Sequence, residues 1–183
     1  MPAVVKEDIS TAFKSNEGDR KIASTFLLYH TPKEQIAYFK EKSSAMSDSF
    51  YWFCLSTLWV DDPNGADIAT WKQMFSVRRS NKEISLMKPS ELKALKSLPN
   101  KITVYRAQKS DELDWISYTT SLKVLLQFAR INRSTRIIRG TVKKRDITAL
   151  FTRRDESEVL ILDKKVIRNI ENINVTDISR VSQ

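Results

Sequence analysis

Apolar positions along the first hundred residues recur at helical spacing, and from Lys101 onward they gather into short β-branched runs. Ile22 to Leu28 reads as a short apolar helical segment. Thr31-Pro32-Lys33-Glu34 is a helix start: Thr31 can cap, Pro32 suits the first helical position and Glu34 completes a capping box. That helix is predicted to run to about Lys42. A second, Phe50 to Val60, carries Trp52, Phe53, Leu55, Leu58 and Trp59, too many for one surface stripe, so it is expected at the centre of a core. Asp61-Asp62-Pro63-Asn64-Gly65 stops it. Asp67 then caps a helix whose Ile68, Trp71, Met74 and Phe75 share a face, and Pro89 to Leu98 is a further short helix. Strands are predicted at Ile102–Tyr105, which delivers Arg106 at its end, and at Trp115–Thr120. Leu122 to Ile131 is helical, with Val124, Leu125, Phe128 and Ala129 inward. Further strands are read at Arg136–Val142, Ile147–Phe151, Glu158–Leu162, Val166–Ile170 and Ile173–Val181. Helices followed by strands give an α+β class. A single domain over residues 1–183 is expected, mainly helical over 1–100 and β-rich over 101–183, with the helices packed on the sheet.

Composition narrows the chemistry. One cysteine, Cys54, excludes an internal disulfide, and one histidine, His30, excludes a two-histidine metal site and argues against a Ser-His-Asp apparatus. His30 closes the apolar run Phe26-Leu27-Leu28-Tyr29 and reads as structural. Three glycines leave no glycine-rich phosphate loop and no dinucleotide fingerprint. No apolar run is long enough to span a bilayer and none leads the chain as a secretory signal, so no membrane partner and a cytoplasmic location are expected.

The net charge of +9 is uneven. Residues 1–100 carry 14 Lys and Arg against 12 Asp and Glu; residues 101–183 carry 17 against 10. Between Lys123 and Arg154 ten basic residues face one acid, Asp146. Such a stretch attracts a phosphorylated substrate, a nucleic acid or an acidic protein.

The stretch Arg153-Arg154-Asp155-Glu156-Ser157-Glu158 leads into Val159-Leu160-Ile161-Leu162. Glu156-Ser157-Glu158 is read as opening this strand, so side-chain alternation turns Glu156 and Glu158 to one face, with Cα atoms roughly 6.5–7 Å apart. Two like charges there cost stability unless something uses them. Upstream, Val104-Tyr105-Arg106-Ala107 ends one strand, and Ser117-Tyr118-Thr119 places Ser117 and Thr119 on one face of another.

These three motifs, in this order, resemble the arginine–serine–glutamate class of mono-ADP-ribosyltransferases, the cholera-toxin-like class, and its small bacterial and phage members in particular. The resemblance covers roughly Phe50 to Asp163; residues 1–48 have no counterpart in it. It implies an ADP-ribosyltransferase-like fold, with N-terminal helices on a split mixed β-sheet, and NAD as the substrate. By resemblance Glu158 supports the ribose cation, Ser117 orients Glu158, and Arg106 holds a cofactor phosphate or ribose. Tyr105, Ser117, Tyr118 and Thr119 complete the NAD-binding set. Glu156 positions and deprotonates the acceptor, an arginine of a target protein that is acidic or nucleic-acid-associated. Ser117-Tyr118-Thr119 stands where the class often has Ser-Thr-Ser, which leaves the part played by Thr119 open. No metal is implied. Two other readings remain open: the same transfer to RNA or DNA, and a basic nucleic-acid-binding module without catalysis. A glutamine at 156 would favour a nucleobase acceptor; the glutamate favours protein.

Overall fold

The computed structural model describes residues 8–26, 28–29, 31–109 and 112–174. His30 and the expected strand beyond Asn174 lie outside them. The described chain is mixed α and β, with seven helices and one six-stranded sheet. Its internal contacts gather into two compact units, Met1–Lys93 and Ala94–Gln183. No described helix is long and apolar enough to cross a membrane.

The first unit holds α1 (Glu17–Phe26), α2 (Pro32–Lys42), α3 (Asp48–Asp61), α4 (Ile68–Phe75) and α5 (Lys82–Leu86), and the start of α6 (Pro89–Ser97). The Thr31–Glu34 capping box forms as the sequence indicates, with both reciprocal bonds present. Asp67 caps α4, accepting from the Thr70 N–H at 2.6 Å, and these bonds hold its carboxyl below the usual carboxylate range. α1 starts earlier than its apolar residues suggest, because Asn16 Oδ1 accepts from the Asp19 N–H. Asp19 is itself buried and accepts from Ser47 N and Ser47 Oγ, at 3.0 and 2.6 Å. It thereby ties α1 to the start of α3. α3 is central: Trp52, Leu55 and Trp59 are buried, and Trp59 meets Trp71 edge to face with centroids 5.1 Å apart. Phe53 departs from expectation. Its ring is half exposed and lies between the exposed Phe13 and the buried Phe50, because a helix buried on nearly every side still leaves one strip outward. α5, whose five residues are too few to show a helical period, was not predicted.

The second unit carries β1 (Lys101–Gln108), β2 (Ser117–Thr119), α7 (Leu122–Ile131), β3 (Arg136–Lys143), β4 (Ala149–Phe151), β5 (Glu158–Leu160) and β6 (Arg168–Asn174). The strand order is β4-β5-β2-β1-β3-β6, and every described pairing is antiparallel rather than mixed. β1 pairs with β3 over eight positions, from Lys101↔Lys143 to Gln108↔Arg136, but with β2 at the single pair Tyr105↔Thr119. Arg106 thus sits inside β1, not at its end. Arg168–Ile170 and Ile173–Asn174, read as parts of two strands, belong to one, β6. α7 has the predicted bounds; Ser121 caps it, and its Leu125 and Ala129 pack with Ala107, Ile137 and Tyr105. Phe128, expected inward, is 36% exposed, because the sheet beneath α7 is covered by the smaller neighbours.

Gly140 lies in β3 where the chain of β6 crosses closely. A Cβ there would overlap Cγ2 of Ile167, a buried β-branched residue with little freedom to move. Gly140→Ala is therefore expected to destabilise the fold by about 1–3 kcal/mol, as overpacking does. Urea denaturation of the two proteins measures it; equal midpoints would place slack at Ile167 that the packing does not show.

Candidate active site

The central strands bring two of the sequence motifs into contact. Ser117 on β2 donates its Oγ hydrogen to Glu158 Oε1 at 2.5 Å. This is a charge-assisted bond between residues 41 positions apart. The register explains it. Thr119 stands opposite Glu158, and Ser117, two residues back, shares that face. Glu158 is buried, as is Thr119. The Thr119 hydroxyl donates to the Glu156 carbonyl at 2.9 Å and accepts from the Ser121 N–H at 3.1 Å. One hydroxyl thus fixes both the turn before β5 and the start of α7. That is the place of Thr119, which the sequence left open.

Glu156 and Glu158 do not lie on one strand face. β5 begins at Glu158, Glu156 has a helical backbone, and Ser157 takes a φ of 46°. The alternation argument fails because the chain turns at Ser157 instead of extending through it. The two carboxylates consequently have different surroundings. Glu156 is about three-quarters buried by side chain and lies 3.5 Å from the guanidinium of Arg154, itself at a φ of 64°.

Arg106 belongs to a second cluster. Register puts Tyr105, Thr119, Ser117 and Glu158 on one sheet face, and Arg106, one residue on from Tyr105, on the other. Its guanidinium is committed. Nε donates to Glu112 Oε2 at 3.1 Å, Nη2 donates to Glu112 Oε1, and Nη1 donates to the Ser117 carbonyl at 2.7 Å. Both partners are more than four-fifths buried. The Arg106 guanidinium also stands over the Trp115 ring at 5.6 Å, and Lys164 Nζ lies 4.8 Å from the same ring. Trp115 Nε1 donates to the Tyr118 hydroxyl at 2.8 Å. Tyr118 is therefore in the Arg106 cluster, while Tyr105 packs against α7.

Ser117 links the two clusters, offering its hydroxyl to Glu158 and its carbonyl to Arg106. The sequence reading missed Glu112. The signal that could have found it is a carboxylate six residues beyond an arginine in a strand, within the acidic run Asp111-Glu112-Leu113-Asp114. It also missed the pairing of Trp115 with Tyr118. Glu158, Ser117, Thr119 and Glu156 form one connected group, and Arg106 meets it at the Ser117 carbonyl.

Comparison with known proteins gives no match to a family model, to a curated sequence or to a solved structure.

Burial pushes the Tyr118 hydroxyl up to about 12, against a smaller opposing pull from Trp115 and Arg106. Burial likewise raises Tyr51 to about 12. An unfolded tyrosine titrates near about 10. The folded state therefore holds these protons longer than the unfolded chain, and their stabilisation is complete below about pH 10 and lost as pH rises towards about 12. Phenolate absorbance is expected to show two of the five tyrosines titrating late. Tyr118→Phe should reduce the fall in urea stability between pH 9 and pH 11. An unchanged slope would mean that the hydroxyl is solvated.

Proposed function

We propose that the chain is an NAD-dependent mono-ADP-ribosyltransferase that modifies arginine in a target protein, and that its second unit has the ADP-ribosyltransferase-like fold. The observation that carries this reading is the Ser117–Glu158 hydrogen bond. It joins the serine and glutamate motifs through adjacent strands, with a buried carboxylate held in one orientation.

Such a carboxylate suits glycosidic cleavage. The bond from ribose C1′ to the nicotinamide nitrogen breaks with its electron pair going to nicotinamide, which leaves neutral. Positive charge then develops on C1′ and the ring oxygen, and a fixed anion close to the sugar stabilises it. Glu158 supplies that anion and accepts from the ribose 2′-hydroxyl, while Ser117 prevents the carboxylate from rotating. The acceptor nitrogen forms the new bond to C1′ and gives its proton to Glu156. A guanidinium has a pKa above about 12, so the base must hold it closely. The neighbouring Arg154 supports this assignment: Glu156 already faces a guanidinium, and a substrate arginine would take its place.

Arg106 is assigned to the cofactor phosphates. A phosphate oxygen pair has the geometry of the Glu112 carboxylate and would exchange with it on the guanidinium fork. Tyr118, Thr119 and Tyr105 are assigned supporting places around NAD, Thr119 through the backbone it fixes. The producing or infected bacterial cytoplasm is the proposed location.

Glu158→Gln is expected to lower nicotinamide release by about 10²–10³ while NAD still binds, since the lost charge matters most in the transition state. Near-normal turnover in a folded variant would remove Glu158 from the chemistry. Glu156→Gln divides the two halves of the reaction: incorporation of labelled ADP-ribose into arginine should disappear while slow NAD hydrolysis persists. Loss of both would place Glu156 in glycosidic cleavage; retention of both would shift the acceptor towards RNA or DNA.

A further inference from the structure

The exposed side of α7 carries two parallel ridges. Phe128 and Ile131, with the buried Val124 at their foot, form an apolar ridge at i, i+4 and i+7, and Lys123, Gln127 and Arg130 form a polar one beside it. Together with Arg154 and Glu156 these residues line one cavity of about 610 Å³. Phe128 is 36% exposed and Ile131 74% exposed, so the apolar ridge ends in solvent within the cavity that Glu156 also lines. Lys123 and Arg130 are exposed and form no ion pair among the described residues. Their Cα atoms stand about 10 Å apart along the helix.

This lining poses an electrostatic problem for the acceptor. A guanidinium approaching Glu156 meets Lys123, Arg130 and Arg154 around one anion. Unaided, three like charges oppose its entry. The opposition disappears if the residues flanking the arginine bring acids of their own. The apolar ridge adds a second requirement, because Ile131 and Phe128 gain from contact with an aliphatic side chain and would remain wet beside a purely polar one.

We propose that the α7 groove docks an acidic segment of the target protein with at least one aliphatic residue next to its arginine. Lys123 and Arg130 hold the acids, the Val124–Phe128–Ile131 ridge holds the aliphatic side chain, and the arginine reaches Glu156. The inference rests on the transferase reading for the identity of the acceptor, but the docking itself needs no NAD. A nucleic acid fits the groove less well, since its phosphates would lie against Glu156 and, although a base can stack on Phe128, the exposed Ile131 would be left unmatched.

Fluorescence anisotropy without NAD tests the groove with four labelled probes of equal length. Three are peptides with one arginine, flanked by Asp, Glu and Leu, by Asp, Glu and Ser, or by Ser and Gly alone; the fourth is a single-stranded oligonucleotide. The acid–Leu peptide is expected to bind at least about tenfold more tightly than the Ser–Gly peptide, and to lose that advantage in high salt. Lys123→Glu with Arg130→Glu should abolish the advantage. Ile131→Ser should weaken the acid–Leu peptide and leave the acid–Ser peptide as it was. All three positions are exposed, and circular dichroism checks that the variants fold. Equal affinity for the three peptides, an advantage that survives the charge reversal, or tightest binding by the oligonucleotide would each overturn the proposal. Nicotinamide release from NAD by the full chain, measured separately, tests the transferase reading. Docking without nicotinamide release would sink the enzyme and leave the groove; release without a peptide preference would do the reverse.

Discussion

β2 has three residues, and it must join β5 on one side to β1 on the other. Its register decides which side chains meet. A slip of one residue would turn Ser117 and Thr119 to the opposite face and carry Tyr118 to theirs. Three pairs with β5 and one with β1 are few for so strict a requirement. Side chains supply the remainder. Thr119 clamps the turn before β5 on one face, Tyr118 takes the indole hydrogen of Trp115 on the other, and Arg106 reaches the Ser117 carbonyl from β1. Each bond is about 1 kcal/mol net, or somewhat more where a charge takes part. Together they hold a short strand that its backbone ladder alone would hold poorly.

The same economy explains why Arg106 is so fully engaged. A guanidinium more than four-fifths buried needs a counter-anion, because removing it from water costs several kcal/mol unless the charge is paired and hydrogen-bonded. Glu112 provides the pair, and the Ser117 carbonyl takes a further donor. The arrangement is stable by itself and also exchangeable, since a carboxylate and a phosphate present similar oxygen pairs to the fork. A ligand taking Arg106 from Glu112 gains only the difference between two anions.

Local chemistry made much of the fold legible. The Thr31–Glu34 capping box, the Asp67 cap and the bounds of α7 depend on neighbours within a few residues, and the sequence contains all of them. The Ser117–Glu158 contact, between residues 41 positions apart, was expected from the family resemblance and not from either strand by itself. What could not be read were the features decided by distant partners. Phe53 and Phe128 look like core residues by period, yet their exposure depends on which neighbouring surface exists to cover them. The turn at Ser157 defeats strand alternation because its φ of 46° is imposed by the Thr119 hydroxyl holding the carbonyl before it, 37 residues away in sequence. Antiparallel pairing throughout is likewise a property of topology, not of any one strand.

That turn also resolves the cost of placing two carboxylates two residues apart. In an extended strand Glu156 and Glu158 would share a face and each would oppose ionisation of its neighbour. With the chain turned at Ser157, Glu158 enters the sheet beneath Ser117, and Glu156 stays at the rim beside Arg154 and the α7 groove. Their neighbours then differ: the Ser117 hydroxyl bonds Glu158, and the Arg154 guanidinium lies beside Glu156. The Ser117 hydroxyl fixes the orientation of the Glu158 carboxylate. A guanidinium neutralises but can be replaced by another of its kind, so Glu156 suits an exchangeable cationic partner. The difference in surroundings follows from one backbone torsion, the φ of 46° at Ser157, and not from the identity of the two residues.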